Sequence, residues 1–252
     1  MRLKDKISLV TGSAGNIGAC TAMRFSEEGA TVILSDINKE GCKKTLQEIE
    51  DKRGRVDMIL ADLTREDDIV KLFSQVRKKY GRLDILANIA GGDYEPMVDL
   101  DEVSDEKISY NIDVNLKSCI FCCREVAKIM KDQQYGKIIN MASIAVKGNL
   151  GQLSYSAAKG GVSSFTRTLA LTLGMYNINV NAIAPGLIEV DVIKNTIGPE
   201  MWKALKENQA ASHPLGRIGQ PIDVANCAVF LASDEASFIT GQLIEVTGGS
   251  RL

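Results

Sequence analysis

The sequence predicts an α/β fold in which a doubly wound parallel sheet carries helices on both faces of a single domain. Apolar runs of strand length alternate with helix-period segments along most of the 252 residues, which is typical of such a sheet. A glycine-rich turn joins the first apolar run to the first helical segment. No linker, low-complexity tract or repeat interrupts the series, so residues 1–252 are predicted to form one domain.

Seven apolar runs predict the strands of the sheet. They are Ile7–Val10, Val32–Ser35, Met58–Ala61, Leu83–Ala87, Lys137–Met141, Val180–Ala184 and Leu243–Val246. Between them, helices are predicted to begin near Ile17, Lys39, Glu66, Ile112, Ser154, Trp202 and Ile222. Helical connections of this kind produce parallel pairing of the strands.

The composition is that of a soluble globular protein. Hydrophobic residues make up 45% and charged residues 25% of the chain, and the net charge of -2 offers no electrostatic footprint for nucleic acid. The first apolar run breaks at Thr11 and Gly12, so it is too short for a signal peptide or a membrane span. We therefore expect a cytoplasmic enzyme that binds neither nucleic acid nor membrane.

Three of the six cysteines, Cys119, Cys122 and Cys123, lie close together in the sequence. Their spacing contains a CxxC pair, but no second pair or nearby histidine completes a set of four metal ligands. Thiols behave as small apolar groups, so we expect these residues in the core or at a subunit contact and expect no metal site.

The turn after the first strand reads TGSAGNIG, and its Gly12, Gly15, Asn16, Ile17 and Gly18 are candidate cofactor-binding residues. Glycines let the backbone bend from a strand into a helix, and the first amides of that helix can receive a pyrophosphate. A strand before the turn and a helix after it strengthen this interpretation, because glycine spacing alone is a weak signal.

Asp36 ends the second strand and is the candidate that selects the cofactor. A carboxylate at this place accepts hydrogen bonds from an adenosine ribose 2′-hydroxyl and repels a 2′-phosphate, so NAD is favoured over NADP. The alternative is an aspartate that only caps the following helix.

Further candidates follow the third and fourth strands. Asp62 and Leu63 lie where a side chain at the carboxyl edge of the sheet reaches an adenine, although Asp62 also fits the cap of a helix starting near Thr64. Asn88, Ala90 and Gly91 end the fourth strand, and small residues there allow a flat cofactor to approach the backbone.

A hydroxyl, a phenol and an ammonium occur within a short stretch around the predicted helix start near Ser154. Ser143 ends an apolar run, and Tyr155 and Lys159 stand four residues apart. On a helix this spacing places phenol and ammonium on one face, where the positive charge is expected to lower the pKa of the tyrosine. Such a tyrosine can exchange a proton with a substrate oxygen, although a surface pair of the same spacing has no function.

Together these motifs resemble the classical short-chain dehydrogenase/reductase family over essentially the whole chain. Thr11, Gly12 and Gly18 match its TGxxxGxG turn, with Asn16 at the middle glycine. Its NNAG motif is matched by Asn88, Ala90 and Gly91, with Ile89 in the second place. The resemblance implies a Rossmann-like fold, a nicotinamide cofactor and hydride transfer between that cofactor and a secondary alcohol or ketone.

The family's four catalytic residues are matched in order by Asn115, Ser143, Tyr155 and Lys159. By resemblance, Tyr155 is the general acid/base and Ser143 orients the substrate oxygen. Lys159 would stabilise the phenolate and bind the nicotinamide ribose, and Asn115 would hold a water that links Lys159 to solvent.

The family's Pro-Gly near the nicotinamide is matched by Pro185 and Gly186, but Val190 stands where a threonine is usual. Main-chain groups of Ile188 are the expected substitute for that hydroxyl. The resemblance also implies a lid over the substrate at about residues 187–215, and a homodimer or homotetramer formed through the helices from about Ile112 and Ser154.

The lid carries apolar residues at helical steps, including Trp202, and this predicts a medium-sized secondary alcohol with an apolar part, either a hydroxy acid or a 3-hydroxyacyl thioester. Ordinary packing of the lid on the domain explains the same pattern. The candidate substrate residues are Ser143, Ile144, Gln152, Tyr155, Gly186 and Trp202.

Two other functions fit the same motifs. One is a non-catalytic subunit that keeps the fold, of which Asn16 and Val190 would be early signs. The other is an NADPH-dependent 3-oxoacyl carrier-protein reductase, against which Asp36 counts because a 2′-phosphate needs a basic partner.

Overall fold

A computed structural model describes residues 1–94, 99–191, 194 and 198–250. Its sheet is parallel throughout, in the order β3-β2-β1-β4-β5-β6-β7. The strands are β1 Ile7–Thr11, β2 Thr31–Ser35, β3 Arg55–Met58, β4 Ile85–Asn88, β5 Gly136–Met141, β6 Ile178–Pro185 and β7 Leu243–Val246. The strand order reverses between β1 and β4, and the carboxyl ends of these two strands open a crevice where such folds bind ligands.

Helices cover both faces of the sheet, which confirms the predicted fold class. The α-helices with described bounds are α1 Asn16–Glu27, α2 Lys39–Asp51, α3 Glu66–Tyr80, α4 Asp105–Ile112, α5 Ser118–Gln133, α6 Leu153–Leu173, α7 Pro199–Ser212 and α8 Pro221–Ala232. The core on one face comes from α3, α5 and α6, and the core on the other from α1, α2 and α8. The central strands β4, β5 and β6 are buried along their whole length, as a sheet covered on both faces requires.

The third strand lies three residues earlier than the sequence predicts, at Arg55–Met58 in place of Met58–Ala61. It is an edge strand, and its register with β2 ends where Met58 pairs with Leu34. Its first residue is exposed, so its own sequence shows little apolar pattern. The more apolar residues that follow lie outside the assigned strand, although the Ile59 and Ala61 amides still donate to the Leu34 and Asp36 carbonyls.

The helix predicted to begin near Ile112 is a compound element that starts earlier. Ser104 caps α4 by accepting a hydrogen bond from the Lys107 amide over 3.3 Å. A π-helical turn, Asp113–Lys117, then joins α4 to α5. Such a turn inserts an extra residue and reorients the side chains within it, often at functional sites. The predicted helix start near Trp202 is also late, since α7 begins at Pro199, where a proline's missing N–H costs nothing.

No helix among the described residues is long and apolar enough to cross a bilayer.

Candidate active site

Ser143, Tyr155 and Lys159 converge at the carboxyl end of β5. The strand ends at Met141, and Ser143 caps the short 3-10 turn Ile144–Lys147 by accepting a hydrogen bond from the Ala145 amide over 3.2 Å. The next helix, α6, carries Tyr155 and Lys159 on its first two turns. The sequence therefore brings these three side chains together as predicted.

Tyr155 forms a hydrogen bond with Ser143, which is the pairing expected of a proton donor and a substrate-orienting hydroxyl. Burial raises the pKa of Tyr155, the hydrogen bond with Ser143 acts in the opposite direction, and the charge of Asp93 raises this pKa further. The Lys159 ammonium lies 5.6 Å from the centre of the tyrosine ring. The expected lowering of the Tyr155 pKa is therefore wrong for this structure, because burial raises that pKa.

Lys159 is buried, with 2% of its surface exposed. Its Nζ donates to the Met141 carbonyl oxygen over 2.8 Å, which fixes the ammonium at the end of β5. Burial lowers the pKa of Lys159 to about 8, because desolvation disfavours the charged form.

Asn115 lies in the π-helical turn and fastens the loop after β4. Its Oδ1 accepts from the Gly92 amide over 3.0 Å, and its Nδ2 donates to the Gly92 carbonyl over 2.8 Å. A Cβ at Gly91, whose φ is +144°, would lie 2.5 Å from Asn115 Oδ1 and 3.3 Å from Lys159 Nζ. Asn115, Gly91 and Lys159 are therefore neighbours, and only glycine fits between the two side chains.

The glycine turn is packed so tightly that two of its glycines are irreplaceable. A Cβ at Gly12, whose φ is +66°, would lie 2.7 Å from the Ala90 amide nitrogen, and one at Gly18 would lie 2.0 Å from the Gly12 carbonyl oxygen. The Thr11 hydroxyl accepts from the Ile89 and Ala90 amides over 3.0 and 3.2 Å. This threonine holds the turn after β1 against the turn after β4, and the two turns form the floor of the crevice.

Gly15 is the N-cap residue of α1, and Asn16 and Ile17 begin the helix. Asp36 lies beside this turn, where one carboxylate oxygen accepts from the Ala14 amide over 3.1 Å and the other from the Asn38 amide over 2.9 Å. Asp36 thus makes a local turn contact with Asn38 and also lies beside the glycine turn, next to Ala14.

Three other candidates have partners of their own. The Asp62 carboxylate accepts from the Thr64 amide over 2.9 Å and the Thr64 hydroxyl over 2.7 Å, which is a local turn ahead of α3. Leu63 is buried in the core. Asn88 donates to Asn140 Oδ1 over 3.0 Å and to the Cys123 sulfur over 3.3 Å, so its side chain points toward α5.

The cysteine cluster lies in the core, as the sequence predicts for small apolar side chains. Cys119, Cys122 and Cys123 are buried on α5, and burial raises the pKa of Cys122 and of Cys123. Among the residues that the structure describes, no group of three His, Cys, Asp or Glu residues is placed to hold a metal ion.

The segment after Pro185 is held against the body of the domain. The Gly186 amide donates to the Val246 carbonyl over 3.0 Å. Ile188 forms an isolated parallel bridge with Gly219, in which Leu187 accepts and Glu189 donates, so the N–H and C=O of Ile188 take no part. That they replace the missing threonine hydroxyl stays a prediction.

The apolar side chains of the described lid residues are divided: Ile188 and Trp202 are buried, whereas Met201 and Leu215 are exposed. Val190 packs against the core on the α1 side, and Trp202 is buried with 5% of its surface exposed. The Glu189 carboxylate accepts from Lys206 over 2.9 Å and from Gln220 over 2.6 Å, and hydrogen bonds to Gln220, Lys206 and Trp202 lower its pKa. Ile193 and Ile197, two further apolar residues of the lid sequence at helical steps, lie outside the described residues.

Beside Tyr155, the Gln152 side chain donates to the Asp93 carboxylate over 2.6 Å. Ile144 is partly buried in the turn after Ser143. The mouth of the site thus contains the apolar side chain of Ile144 and the Asp93 carboxylate, which the Gln152 amide holds in place.

Two interactions at the site escape sequence reasoning. Asn111 accepts from the Tyr94 amide over 3.2 Å and donates to the Ser154 hydroxyl over 2.9 Å, joining the loop after β4 to α6. Asn16 pairs with Asp191, 175 residues away. No sequence spacing predicts a contact at that separation.

Comparison with known proteins agrees with this geometry. The family model described as enoyl-(acyl carrier protein) reductase matches residues 12–251. The chain is 41% identical to a 3-oxoacyl-acyl-carrier-protein reductase of Thermotoga maritima over 250 residues, covering 99% of both chains. It is also 34% identical to the 7alpha-hydroxysteroid dehydrogenase of Escherichia coli K12 over 250 residues, covering 99% of this chain and 95% of that one.

Solved structures give the same result. Levodione reductase superposes with a TM-score of 0.94 at 29% identity, covering 98% of both chains. A 7 alpha-hydroxysteroid dehydrogenase complexed with NADH and 7-oxo glycochenodeoxycholic acid superposes with a TM-score of 0.92 at 33% identity, covering 99% of this chain and 95% of that one. The chain therefore belongs to the classical short-chain dehydrogenase/reductase family of oxidoreductases.

Proposed function

We propose that this protein is an NAD-dependent oxidoreductase that interconverts a secondary alcohol and a ketone. The observation that carries the proposal is the meeting of Tyr155, Ser143 and buried Lys159 beside the crevice of a dinucleotide-binding fold. A phenol, a hydroxyl and an ammonium in this arrangement serve proton transfer to or from a substrate oxygen.

The crevice fits a nicotinamide dinucleotide. The floor of the crevice contains Gly12, Gly18 and Gly91, which have no side chains. A Cβ at any of the three would lie within 3 Å of another atom. The first turn of α1 contains no acidic residue and offers its amides to a pyrophosphate. Asp36 beside this turn favours NAD, since its carboxylate would repel a 2′-phosphate.

When bound, the cofactor supplies the hydride donor or acceptor. Tyr155 holds the proton that is exchanged with the substrate oxygen, and its raised pKa keeps the phenol protonated at neutral pH. Ser143 orients that oxygen through its hydroxyl. Lys159 supplies positive charge next to the phenol. Asn115 fixes the backbone of Gly92, whose neighbour Gly91 borders the ammonium.

The mouth of the site favours a substrate that is neutral around its reacting carbon. The Asp93 carboxylate acts on Tyr155 through its charge and is held by Gln152. A free carboxylate next to the reacting carbon would be repelled, whereas an ester, thioester or hydroxyl would not. Of the two expected substrate types, a 3-hydroxyacyl thioester therefore fits better than a free hydroxy acid.

A steady-state comparison tests this choice. We expect kcat/KM to be higher for a 3-hydroxyacyl thioester than for the matched free 3-hydroxy acid, and Asp93→Asn to narrow that ratio. Glu50→Gln, which also removes one negative charge but at an exposed position on α2, is the control for the changed net charge. A preference for the free acid in the wild type would contradict the proposal.

The second candidate function is reduction of a 3-oxoacyl group on a carrier protein. It is favoured by the 41% identity to the Thermotoga maritima reductase of that name. Four lysines in or near the lid are candidates for contact with the phosphates of a coenzyme A or carrier-protein arm. Lys147 pairs with Glu245 and Lys206 pairs with Glu189, whereas Lys194 and Lys203 are exposed. Reduction of a 3-oxoacyl carrier protein with NADPH at a higher kcat/KM than of the matched 3-oxoacyl-CoA with NADH would establish this second candidate.

The non-catalytic alternative makes a different prediction. A protein that binds NAD but oxidises no alcohol and reduces no ketone in a broad panel would support it. The presence of Ser143, Tyr155 and Lys159 in one site argues for turnover, because fold maintenance alone does not require a buried lysine beside a half-buried tyrosine.

We further propose that the chain forms a homodimer or homotetramer in the cytoplasm. At Gly161 a Cβ would lie 2.8 Å from Leu116, but at Gly160 it would meet no atom within 4 Å of the same chain. Leu171 and Met175 at the end of α6 are exposed. Light scattering on a size-exclusion peak tests the assembly, and a monomer mass at micromolar concentration would contradict it.

A further inference from the structure

Asn16 and Asp191 form a reciprocal pair of hydrogen bonds that joins the start of α1 to the segment after β6. Asn16 Nδ2 donates to Asp191 Oδ2 over 2.9 Å, and the Asp191 amide donates to Asn16 Oδ1 over 3.0 Å. Two bonds in opposite directions fix both the distance and the orientation of the two segments. We call this pair the Asn16–Asp191 clasp.

The clasp connects two functional parts of the proposed cofactor site. Asn16 is the first residue of α1, whose amides are the proposed pyrophosphate contact. Asp191 is the last residue of the segment 187–191, and Gly219 binds the beginning of that segment. The Glu189 amide donates to the Gly219 carbonyl over 2.8 Å, and the Gly219 amide donates to the Leu187 carbonyl over 2.9 Å. Residues 187–191 are therefore tied on one side to the domain and on the other to the glycine turn.

The clasp also involves both places where the chain departs from the family motifs, Asn16 at a motif glycine and Val190 at the usual threonine. A glycine at position 16 has no side chain and could form neither bond. Val190, in the place of the usual threonine, packs against the core on the α1 side. Asn16 thus supplies, from the other side of the crevice, a polar contact to the segment in which the threonine hydroxyl is missing.

We propose that the Asn16–Asp191 clasp must open for the dinucleotide to enter or leave, and that Asn16 and Asp191 are positioning residues that retain the bound cofactor. The inference rests on the dinucleotide site of the proposed function. It requires no contact between Asp191 and the reacting atoms, so the clasp controls cofactor exchange separately from proton transfer.

The chain offers variants that separate the bonds. Asn16→Gly removes both, Asp191→Ala removes the carboxylate acceptor, and Asp191→Asn keeps an acceptor oxygen without the charge. The control is Asp51→Ala, which removes an exposed carboxylate that accepts from Gln47 Nε2 over 2.9 Å on α2, away from the crevice.

The first measurement is the rate of NADH release, followed by fluorescence in a stopped-flow instrument while excess NAD displaces it without substrate. We expect release to be about tenfold faster in Asn16→Gly, as the loss of two exposed hydrogen bonds predicts. Asp191→Ala should be faster by about threefold, and Asp191→Asn and Asp51→Ala should stay within about twofold. The double variant should release NADH no faster than Asn16→Gly alone.

Wild-type release rates in Asn16→Gly, or effects of the two single variants that multiply in the double variant, would overturn the clasp. A second readout uses the protein without cofactor. Hydrogen exchange of the Asp191 amide should be slowed in the wild type and faster in Asn16→Gly, but unchanged in Asp51→Ala. Equal exchange in wild type and Asn16→Gly would also overturn it.

These results are distinguishable from failure of the proposed function. A protein that binds NADH but converts no alcohol or ketone contradicts the proposed function and leaves the release measurement intact. A protein that binds neither NADH nor NADPH overturns both proposals.

Discussion

The Lys159 ammonium donates its hydrogen bond to the Met141 carbonyl oxygen, and that 2.8 Å contact is the link between the end of β5 and the acid/base site on α6. A single carbonyl does not replace the water that burial removes. The lysine therefore lies in a place that favours its neutral form, and its pKa falls from 10.5 to about 8.

The buried lysine predicts a gain in stability when it is replaced. Below pH 8 Lys159 is charged in both folded and unfolded chains, so the folded state carries the full desolvation cost. Between pH 8 and 10.5 the unfolded chain binds more protons, so stability rises with pH through this window. We expect Lys159→Met to raise the free energy of unfolding at pH 7 by about 1–3 kcal/mol, with the gain shrinking as pH rises.

Denaturant unfolding at several pH values measures this effect, and Lys44→Met, at an exposed lysine on α2, is the control. The variant should be inactive, because the charge behind Tyr155 is lost. A Lys159→Met protein less stable than the wild type at pH 7 would show that the contact with Met141 outweighs the desolvation cost.

The phenol of Tyr155 is expected to carry proton transfer without holding the cofactor. Tyr155→Phe removes only the hydroxyl that pairs with Ser143, so turnover should fall by about 10²–10⁴-fold. The dissociation constant of NAD should change by less than about threefold, or less than 1 kcal/mol. Tyr176→Phe, which removes a phenol beyond the end of α6, should behave as the wild type in both measurements.

Asp36 is expected to set the preference between the two dinucleotides. Asp36→Ala removes the carboxylate next to the Ala14 amide, so NADP should bind more tightly and NAD more weakly. We expect the ratio of the two dissociation constants to shift by about tenfold or more, the size of one lost charged contact. Tighter binding of NADP than NAD by the wild type, in a titration of both, would contradict the cofactor assignment.

Trp202 is expected to act on stability more than on substrate choice. Its indole is buried and hydrogen-bonded to the Glu189 carboxylate, so Trp202→Ala leaves a cavity and removes a donor. A loss of about 3–5 kcal/mol in unfolding free energy is typical of such a change. Relative kcat/KM values across aliphatic, cyclic and polyhydroxylated alcohols should keep their order in Trp202→Phe. A reversed order would place the indole in the substrate pocket.

The sequence predicted most strongly where several constraints act on the same residues. Gly12 and Gly18 are required by turn geometry and by contacts within 3 Å, so their positions and their role follow from the turn itself. The spacing of Tyr155 and Lys159 is likewise fixed by one helix. The buried strand β5, Gly136–Met141, matches the prediction Lys137–Met141 closely, because its central pair Ile138 and Ile139 gives a clear apolar signal.

Prediction was weaker where tertiary contacts decide. The edge strand β3 carries little apolar pattern, and α4 was missed because its exposed surface residues show no apolar face. The pKa of Tyr155 was expected to fall, but burial of the phenol and of Lys159 is a property of the folded chain. The partner of Asn16 lies 175 residues away and follows from the fold alone.

The last strand, β7, covers the edge of β6, and this limits how far the chain can be shortened from its C-terminal end. β7 pairs with β6 through four residues, and its Val246 carbonyl accepts from the Gly186 amide. A protein ending before Leu243 would leave the buried strand β6 with a free row of amides and carbonyls, which is a template for aggregation. It would also lose the Val246 carbonyl that binds the Gly186 amide. The same deletion would therefore promote aggregation and disturb the proposed cofactor site.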